Sequence, residues 1–213
     1  MDEIRNTDFI EVFDNALSEN ECKYIIDYAN SKKLVRGGFN ASAAETGKVE
    51  NIIDTNEKDC WQIEHGNYFT KGSDNESKII SGMVLQALRK TSIKYGKIHP
   101  ECRQIVPWRP DDAYNIQKYD PGQAYHGLHC ENNGDGIGYE RCLVWMIYLN
   151  TVNDKGGTYF SNFNRTLNAV EGRCVIWPAY WTHCHKGIPS PTETKYIATG
   201  WFVHQEIPGR INN

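Results

Sequence analysis

Among 213 residues, the tripeptide His129-Cys130-Glu131 pairs an imidazole with a carboxylate. Side chains along an extended segment alternate with period two, so His129 and Glu131 point to one side and form a two-ligand clamp. A third ligand from a distant strand completes a facial set of two histidines and one carboxylate, which leaves coordination positions open and suits non-haem Fe(II) oxygen chemistry. His183 or His185 can supply that ligand. A His-x-Glu triplet also arises by chance, and a histidine beside tryptophans in an apolar strand is more often a satisfied core residue than a ligand. A zinc set drawing on Cys130, Cys184 and His126 or His183 competes, but its spacing matches no zinc pattern. His126 stands three residues before His129 and so faces the opposite side of a regular strand.

Such a clamp has to be held by strands, and short β-type runs punctuated by turn residues occupy the second half of the chain. They are read at residues 113–119, 141–150, 158–160, 173–177, 182–186 and 195–204. Pro121-Gly122, the stretch from Asn153 to Gly157, and Glu171-Gly172 fall between them. In residues 143–149 both alternating sets are apolar, which predicts a strand buried on both faces, between a second sheet and covering helices. Two helices precede this β core. Ser18 and Glu21 form a capping box ahead of a stripe of Cys22, Ile25, Ile26 and Ala29, with Gly37-Gly38 closing the segment. Ser73-x-x-Glu76 is read as a second box, ahead of Ile80, Met83, Val84, Ala87, Leu88 and Thr91. The polar stretch between, residues 39–72, reads as loops and short strands, a surface excursion more readily than a lid over a substrate.

The ordered string Tyr119-x-Pro-Gly, His129-x-Glu131, Tyr148-Leu149-Asn150, Gly156-Gly157-Thr158-x-Phe160 and His185-x-x-x-Pro189 with Lys195 resembles the Fe(II)/2-oxoglutarate-dependent oxygenases, in particular the prolyl 4-hydroxylase-like group. The resemblance covers about residues 113–204. It implies a mainly β fold with flanking α-helices around a double-stranded β-helix, a jelly roll of cupin-like form. It further implies one oxygenase domain over residues 1–213, in which residues 1–112 support the core and residues 113–204 carry the metal site. In the group the distal metal histidine stands four residues before a proline and about ten before the basic residue that binds the cosubstrate. His185 fits that spacing and His183 does not, which leaves His183 as a core or pocket-wall residue on the same strand face.

By this resemblance His129, Glu131 and His185 hold Fe(II), and 2-oxoglutarate and O2 are cosubstrates. Lys195 anchors the distal carboxylate of 2-oxoglutarate, Tyr119 and Thr199 add hydroxyls to it, and Tyr148 is a further candidate equally readable as core. Trp201 shares the face of Lys195 and Thr199 and is read as a pocket wall. Two departures stand out. The group's first pair is His-x-Asp, so the longer Glu131 must fold its carboxylate back or sit farther from the metal. The familiar Gly-Gly-Glu-Thr-x-Phe run lacks its glutamate at Gly156-Gly157-Thr158-Tyr159-Phe160. A carboxylate at position 131 favours hydroxylation over halogenation. The acceptor implied is a prolyl residue in a peptide or protein, with a free amino acid, small metabolite or nucleobase as alternatives, and a non-catalytic jelly-roll binding module as the reading from another class.

Composition narrows the remaining classes. A net charge of −4 without a basic run does not favour a nucleic-acid partner. The longest apolar run has seven residues, from Leu143 to Leu149, where a spanning helix needs about 20, so no membrane partner is expected. The first 20 residues are acidic and polar rather than signal-like. Seven cysteines, odd in number and without a Cys-x-x-Cys pair, suggest a reducing, cytoplasmic context. Eighteen glycines and eight prolines are too few for a disordered or collagen-like chain.

Overall fold

The apolar run that opens at Leu143 has no polar face to offer solvent, and the fold is built around it. A computed structural model describes residues 8–42, 49–63, 74–105, 107–132, 134 and 136–205. In chain order the elements are β1 (Glu11–Phe13), α1 (Glu19–Ser31), β2 (Leu34–Arg36), β3 (Phe39–Ser42), β4 (Val49–Ile52), β5 (Trp61–Ile63) and α2 (Asn75–Ile98). They continue with β6 (Trp108–Tyr119), β7 (Arg141–Tyr148), β8 (Thr158–Phe160), β9 (Arg165–Leu167), β10 (Cys174–Pro178), β11 (His185–Gly187) and β12 (Lys195–His204). Seven strands form one sheet in the order β1-β10-β7-β12-β6-β5-β2, three form a second in the order β11-β8-β9, and β3 and β4 make a separate hairpin. All pairings in the two larger sheets are antiparallel.

β7 is buried on both sides, as expected. Leu143, Trp145 and Ile147 join Cys22, Ile25 and Ala29 of α1 and Ile80, Val84, Ala87 and Leu88 of α2 in one core cluster. Val144, Met146 and Tyr148 point the other way, into a second cluster with Phe160, Leu167 and Trp177. The helices thus cover the outer face of the large sheet and leave the inner face to the small one. Each fully buried aliphatic side chain in the helix layer contributes about 1.5–3 kcal/mol. β12 obeys the same alternation, with Ala198 and Phe202 in the helix-side cluster and Ile197 in the inner one. Gly200 lies where a Cβ would sit 2.7 Å from the Trp145 ring, so only glycine lets β12 pass that indole.

Several local expectations need correction. The Ser18 and Glu21 box is present, but α1 stops at Ser31 because the chain turns to pair β2 with β5 before Gly37 is reached. α2 is capped by Asp74: its carboxylate accepts the Ser77 N–H at 2.6 Å, and Ser73 lies outside the described residues. An aspartate there both satisfies the free donor and complements the positive end of the helix. The strand expected at 113–119 begins earlier, at Trp108, and contains Pro110. Among the described residues β5 pairs with β6 only at Lys118 and Gln117, and none of them pairs with Pro110 on that side, so its missing N–H interrupts no described ladder. The strand expected at 182–186 is instead a 3-10 turn at Trp181–His183 followed by β11. β9 went unread because three residues, Arg165-Thr166-Leu167, are too short to show a period. Among the described residues no helix is long and apolar enough to cross a membrane.

Candidate metal and cosubstrate site

His185 opens β11, whereas His129 lies on the long connection from β6 to β7. The two meet as an isolated antiparallel bridge, exchanging backbone hydrogen bonds of 3.0 and 2.9 Å. The imidazoles are turned by their own backbones. His129 Nδ1–H donates to the Gly127 carbonyl at 2.9 Å, and His185 Nδ1–H donates to the His183 carbonyl at 2.9 Å. Both Nε2 lone pairs are therefore free and face a common centre. Tyr125 stacks on the His129 ring with centroids 3.6 Å apart, and Trp177 meets the His185 ring edge-on at 5.0 Å.

Glu131 solves the problem of its extra methylene by folding back. Its Oε1 lies 3.4 Å from His129 Nε2 and 3.7 Å from His185 Nε2, while its Oε2 accepts the Trp201 indole N–H at 2.8 Å. Arg141 stands behind: its Nη1 is 3.6 Å from Oε2 and 3.3 Å from the Glu131 carbonyl, and its guanidinium lies 3.5 Å over the Trp201 ring. Burial acts to raise the Glu131 pKa, but its contacts with the His129 and His185 imidazoles and with the Arg141 guanidinium outweigh it and hold the carboxyl well below its usual range. Burial, reinforced by His129, pushes His185 down to about 3, so its imidazole is neutral and available as a donor. Three ligand atoms within 4.8 Å of one another, two imidazole nitrogens and one carboxylate oxygen, fit a ferrous ion with open coordination positions.

These groups line a cavity of about 400 Å³ between the two sheets, which Lys195, Ile197, Thr199 and Trp201 of β12 also line. Lys195 is buried, donates to the Gly156 carbonyl at 2.9 Å, and sits 4.8 Å over the Tyr119 ring. Among the described residues no carboxylate pairs with it. Burial pushes the Lys195 pKa down to about 8. A buried ammonium that lacks an anion is costly unless something supplies one, and the cavity gives an external carboxylate access to it. Tyr119 faces the cavity but spends its hydroxyl proton on Gln117 at 2.7 Å, and Thr199 donates to the Trp145 carbonyl at 3.0 Å. Both oxygens keep acceptor capacity.

Two candidates lie elsewhere. Tyr148 is fully buried behind the wall, its hydroxyl 2.7 Å from that of Thr158, and Thr158 rather than Tyr148 lines the cavity. His183 does not share a strand face with His185, because the 3-10 turn rotates it away. Its Nε2–H donates to the Asp8 carbonyl at 2.7 Å and its Nδ1 accepts from Thr182 at 2.8 Å, so it ties the turn to the N-terminal segment and does not line the cavity. Sequence reasoning missed Arg141, Tyr125 and Trp177. The one available signal was Arg141, a lone charge opening an otherwise apolar strand.

The model of the 2OG-Fe(II) oxygenase superfamily matches residues 114–203, the stretch that contains all of these groups. A protein of Acanthamoeba polyphaga mimivirus, named "Putative prolyl 4-hydroxylase", is 25% identical over 164 residues, 65% of this chain and 68% of that protein. Among solved structures, the viral collagen prolyl hydroxylase of Paramecium Bursaria Chlorella virus-1, as its 2-oxoglutarate complex, is similar with a TM-score of 0.61. It is 17% identical, and the likeness covers 95% of this chain and 99% of that one. A Trichoplax adhaerens prolyl hydroxylase in complex with a hypoxia inducible factor oxygen degradation domain peptide fragment has a TM-score of 0.64 at 16% identity, covering 93% and 85%. These likenesses bear out the jelly-roll reading of the two-sheet core.

Proposed function

We propose that this chain, a 2-oxoglutarate- and Fe(II)-dependent dioxygenase of the prolyl 4-hydroxylase-like group, hydroxylates a prolyl residue carried in a peptide or protein. Enzymes of this family use Fe(II), 2-oxoglutarate and O2. The observation that carries the reading is the convergence of His129 Nε2, His185 Nε2 and Glu131 Oε1 on the cavity that also receives Lys195. In this reading the three side chains hold the metal, and Trp201 keeps Oε1 of Glu131 aimed by occupying Oε2. When bound, the ferrous ion supplies the oxidising chemistry that couples decarboxylation of the keto acid to insertion of one oxygen atom into a C–H bond.

The rest falls to the chain. Lys195 meets the distal carboxylate of 2-oxoglutarate through a charge-assisted bond worth about 1.5–3 kcal/mol. Gly156 turns its carbonyl to hold the ammonium in place, and its backbone has the positive φ of 72° that glycine adopts without strain. The apolar wall around Lys195, with Ile197 and the Tyr119 ring, excludes water and strengthens that contact. Tyr125, Trp201 and the Arg141 guanidinium offer flat faces at the metal end, which suit a prolyl ring and its peptide carbonyl. The mimiviral protein named a putative prolyl 4-hydroxylase, and the Trichoplax prolyl hydroxylase bound to a peptide fragment, support the acceptor class.

The test is turnover of a proline-containing peptide library with Fe(II) and 2-oxoglutarate, followed by mass spectrometry. A product heavier by about 16 Da, one oxygen atom, on proline is expected together with stoichiometric succinate. Succinate coupled only to free amino acids or nucleosides would reassign the acceptor, and absence of succinate with every acceptor would favour a binding module.

A further inference from the structure

The metal ligands alternate along their segments with a second pair of side chains. Because His129 and His185 exchange both backbone hydrogen bonds, they form the closely bonded pair of an antiparallel ribbon. One step along, Cys130 and Cys184 stand opposite each other as the non-hydrogen-bonded pair. At such positions Cα atoms come within about 4.5 Å and Cβ atoms within about 4.5–5.5 Å. The two thiols meet across the ribbon in a side-chain hydrogen bond. Both cysteines are free and partly exposed, whereas Cys22, Cys60, Cys142 and Cys174 are buried. Their other bonds are weak ones to carbonyls, Cys130 Sγ to Asn132 at 3.5 Å and Cys184 Sγ to Trp181 at 3.1 Å.

We propose that Cys130 and Cys184 are a redox modification site, closing into a reversible disulfide that disturbs the metal ligands beside them. A hydroperoxide serves as the oxidant. One thiol, as thiolate, gives an electron pair to a peroxide oxygen, breaking the O–O bond and forming a sulfenic acid. The second sulfur attacks the first, the S–S bond forms, the S–O bond breaks and water leaves. In sum, two thiols and one hydrogen peroxide give one disulfide and two waters. A disulfide prefers Cβ atoms about 3.8 Å apart, so closure draws the two segments together by on the order of 1 Å. Cys130 lies between two ligands and Cys184 precedes the third, so that displacement reaches the whole set.

The experiment treats the full, metal-free chain with one equivalent of hydrogen peroxide, maps peptides without reductant, and titrates Co(II) before and after. Expected is a cross-linked peptide pair carrying Cys130 and Cys184, about 2 Da lighter than the two thiol peptides together. The titre should fall from seven thiols to five. Co(II) should bind about tenfold or more weakly and recover on addition of dithiothreitol. Cys184→Ser should keep its Co(II) affinity through the same treatment. Bridging to other cysteines, separate over-oxidation of the two thiols, or a Cys130–Cys184 bridge that leaves Co(II) binding unchanged would overturn the proposal. Neither readout requires turnover, so failure here is distinct from failure of the hydroxylase reading.

Discussion

Trp201→Phe removes one hydrogen bond and little else. The phenyl ring keeps an aromatic face under the Arg141 guanidinium, which lies 3.5 Å from the indole, but the donor 2.8 Å from Glu131 Oε2 is gone. A hydrogen bond to an ionised group is worth about 1.5–3 kcal/mol, and each 1.4 kcal/mol is tenfold in an equilibrium constant. Unless Arg141 closes on Oε2, metal binding should therefore weaken on the order of 10–100-fold, the range typical of groups that orient a ligand. Calorimetric titration of metal-free protein with Co(II) measures this without turnover. Glu131→Asp sharpens the test, because the shorter arm cannot reach both the metal and the indole. In that background Trp201→Phe should cost much less, and the difference between the two backgrounds is the coupling energy. A Trp201→Phe protein whose Co(II) affinity stays within about twofold of the parent, while Glu131→Ala abolishes binding, would refute the orienting role.

Lys195→Ala should raise the 2-oxoglutarate KM about 100-fold, the loss of one charge-assisted anchor, with Co(II) affinity near normal. In the free protein Lys195 is pushed from 10.5 down to about 8, so between those values the unfolded chain binds more protons and folding stability should rise with pH, as followed by urea denaturation. Over the same range the ammonium is lost, so 2-oxoglutarate affinity should fall above about pH 8, and Lys195→Arg should flatten that fall because guanidinium stays charged. His185→Ala should abolish Co(II) binding, whereas His183→Ala should preserve it and cost about 1 kcal/mol of stability through the lost bond to Asp8, measured by thermal melting. Saturating Co(II) with 2-oxoglutarate should raise Tm in the parent and leave the His185→Ala melting temperature unmoved.

The parts of the fold that a period can encode were legible before the structure. The double-faced apolar run of β7, the Ser18 cap and the α2 stripe each express a repeat of 2 or 3.6 residues, and each is where the pattern puts it. What failed was irregular or short. The turn at Trp181–His183 carries an apolar pattern that mimics a strand, and only packing of His183 against Asp8 decides otherwise. Pro110 argues against a strand until β6 is seen to pair with β12 through it, Phe202 opposite Pro110. At the site, His129, Glu131 and His185 could be proposed from residue type and spacing. Arg141 could not, because its meaning lies in the face of Trp201, 60 positions away in the chain. Tyr148 and Thr158 show the same limit, since which of two bonded hydroxyl groups meets the cavity depends on strand register.

Both imidazoles are steered by peptide carbonyls, Gly127 for His129 and His183 for His185. Main-chain acceptors do not mutate, so the basicity of these two nitrogens is insulated from substitution. Variation in how firmly the ion is gripped, or at what potential it cycles, must then pass chiefly through the carboxylate, at the positions occupied by Trp201 and Arg141. A lineage or an engineer wishing to retune this centre has two dials, and both sit on the wall that a substrate would touch.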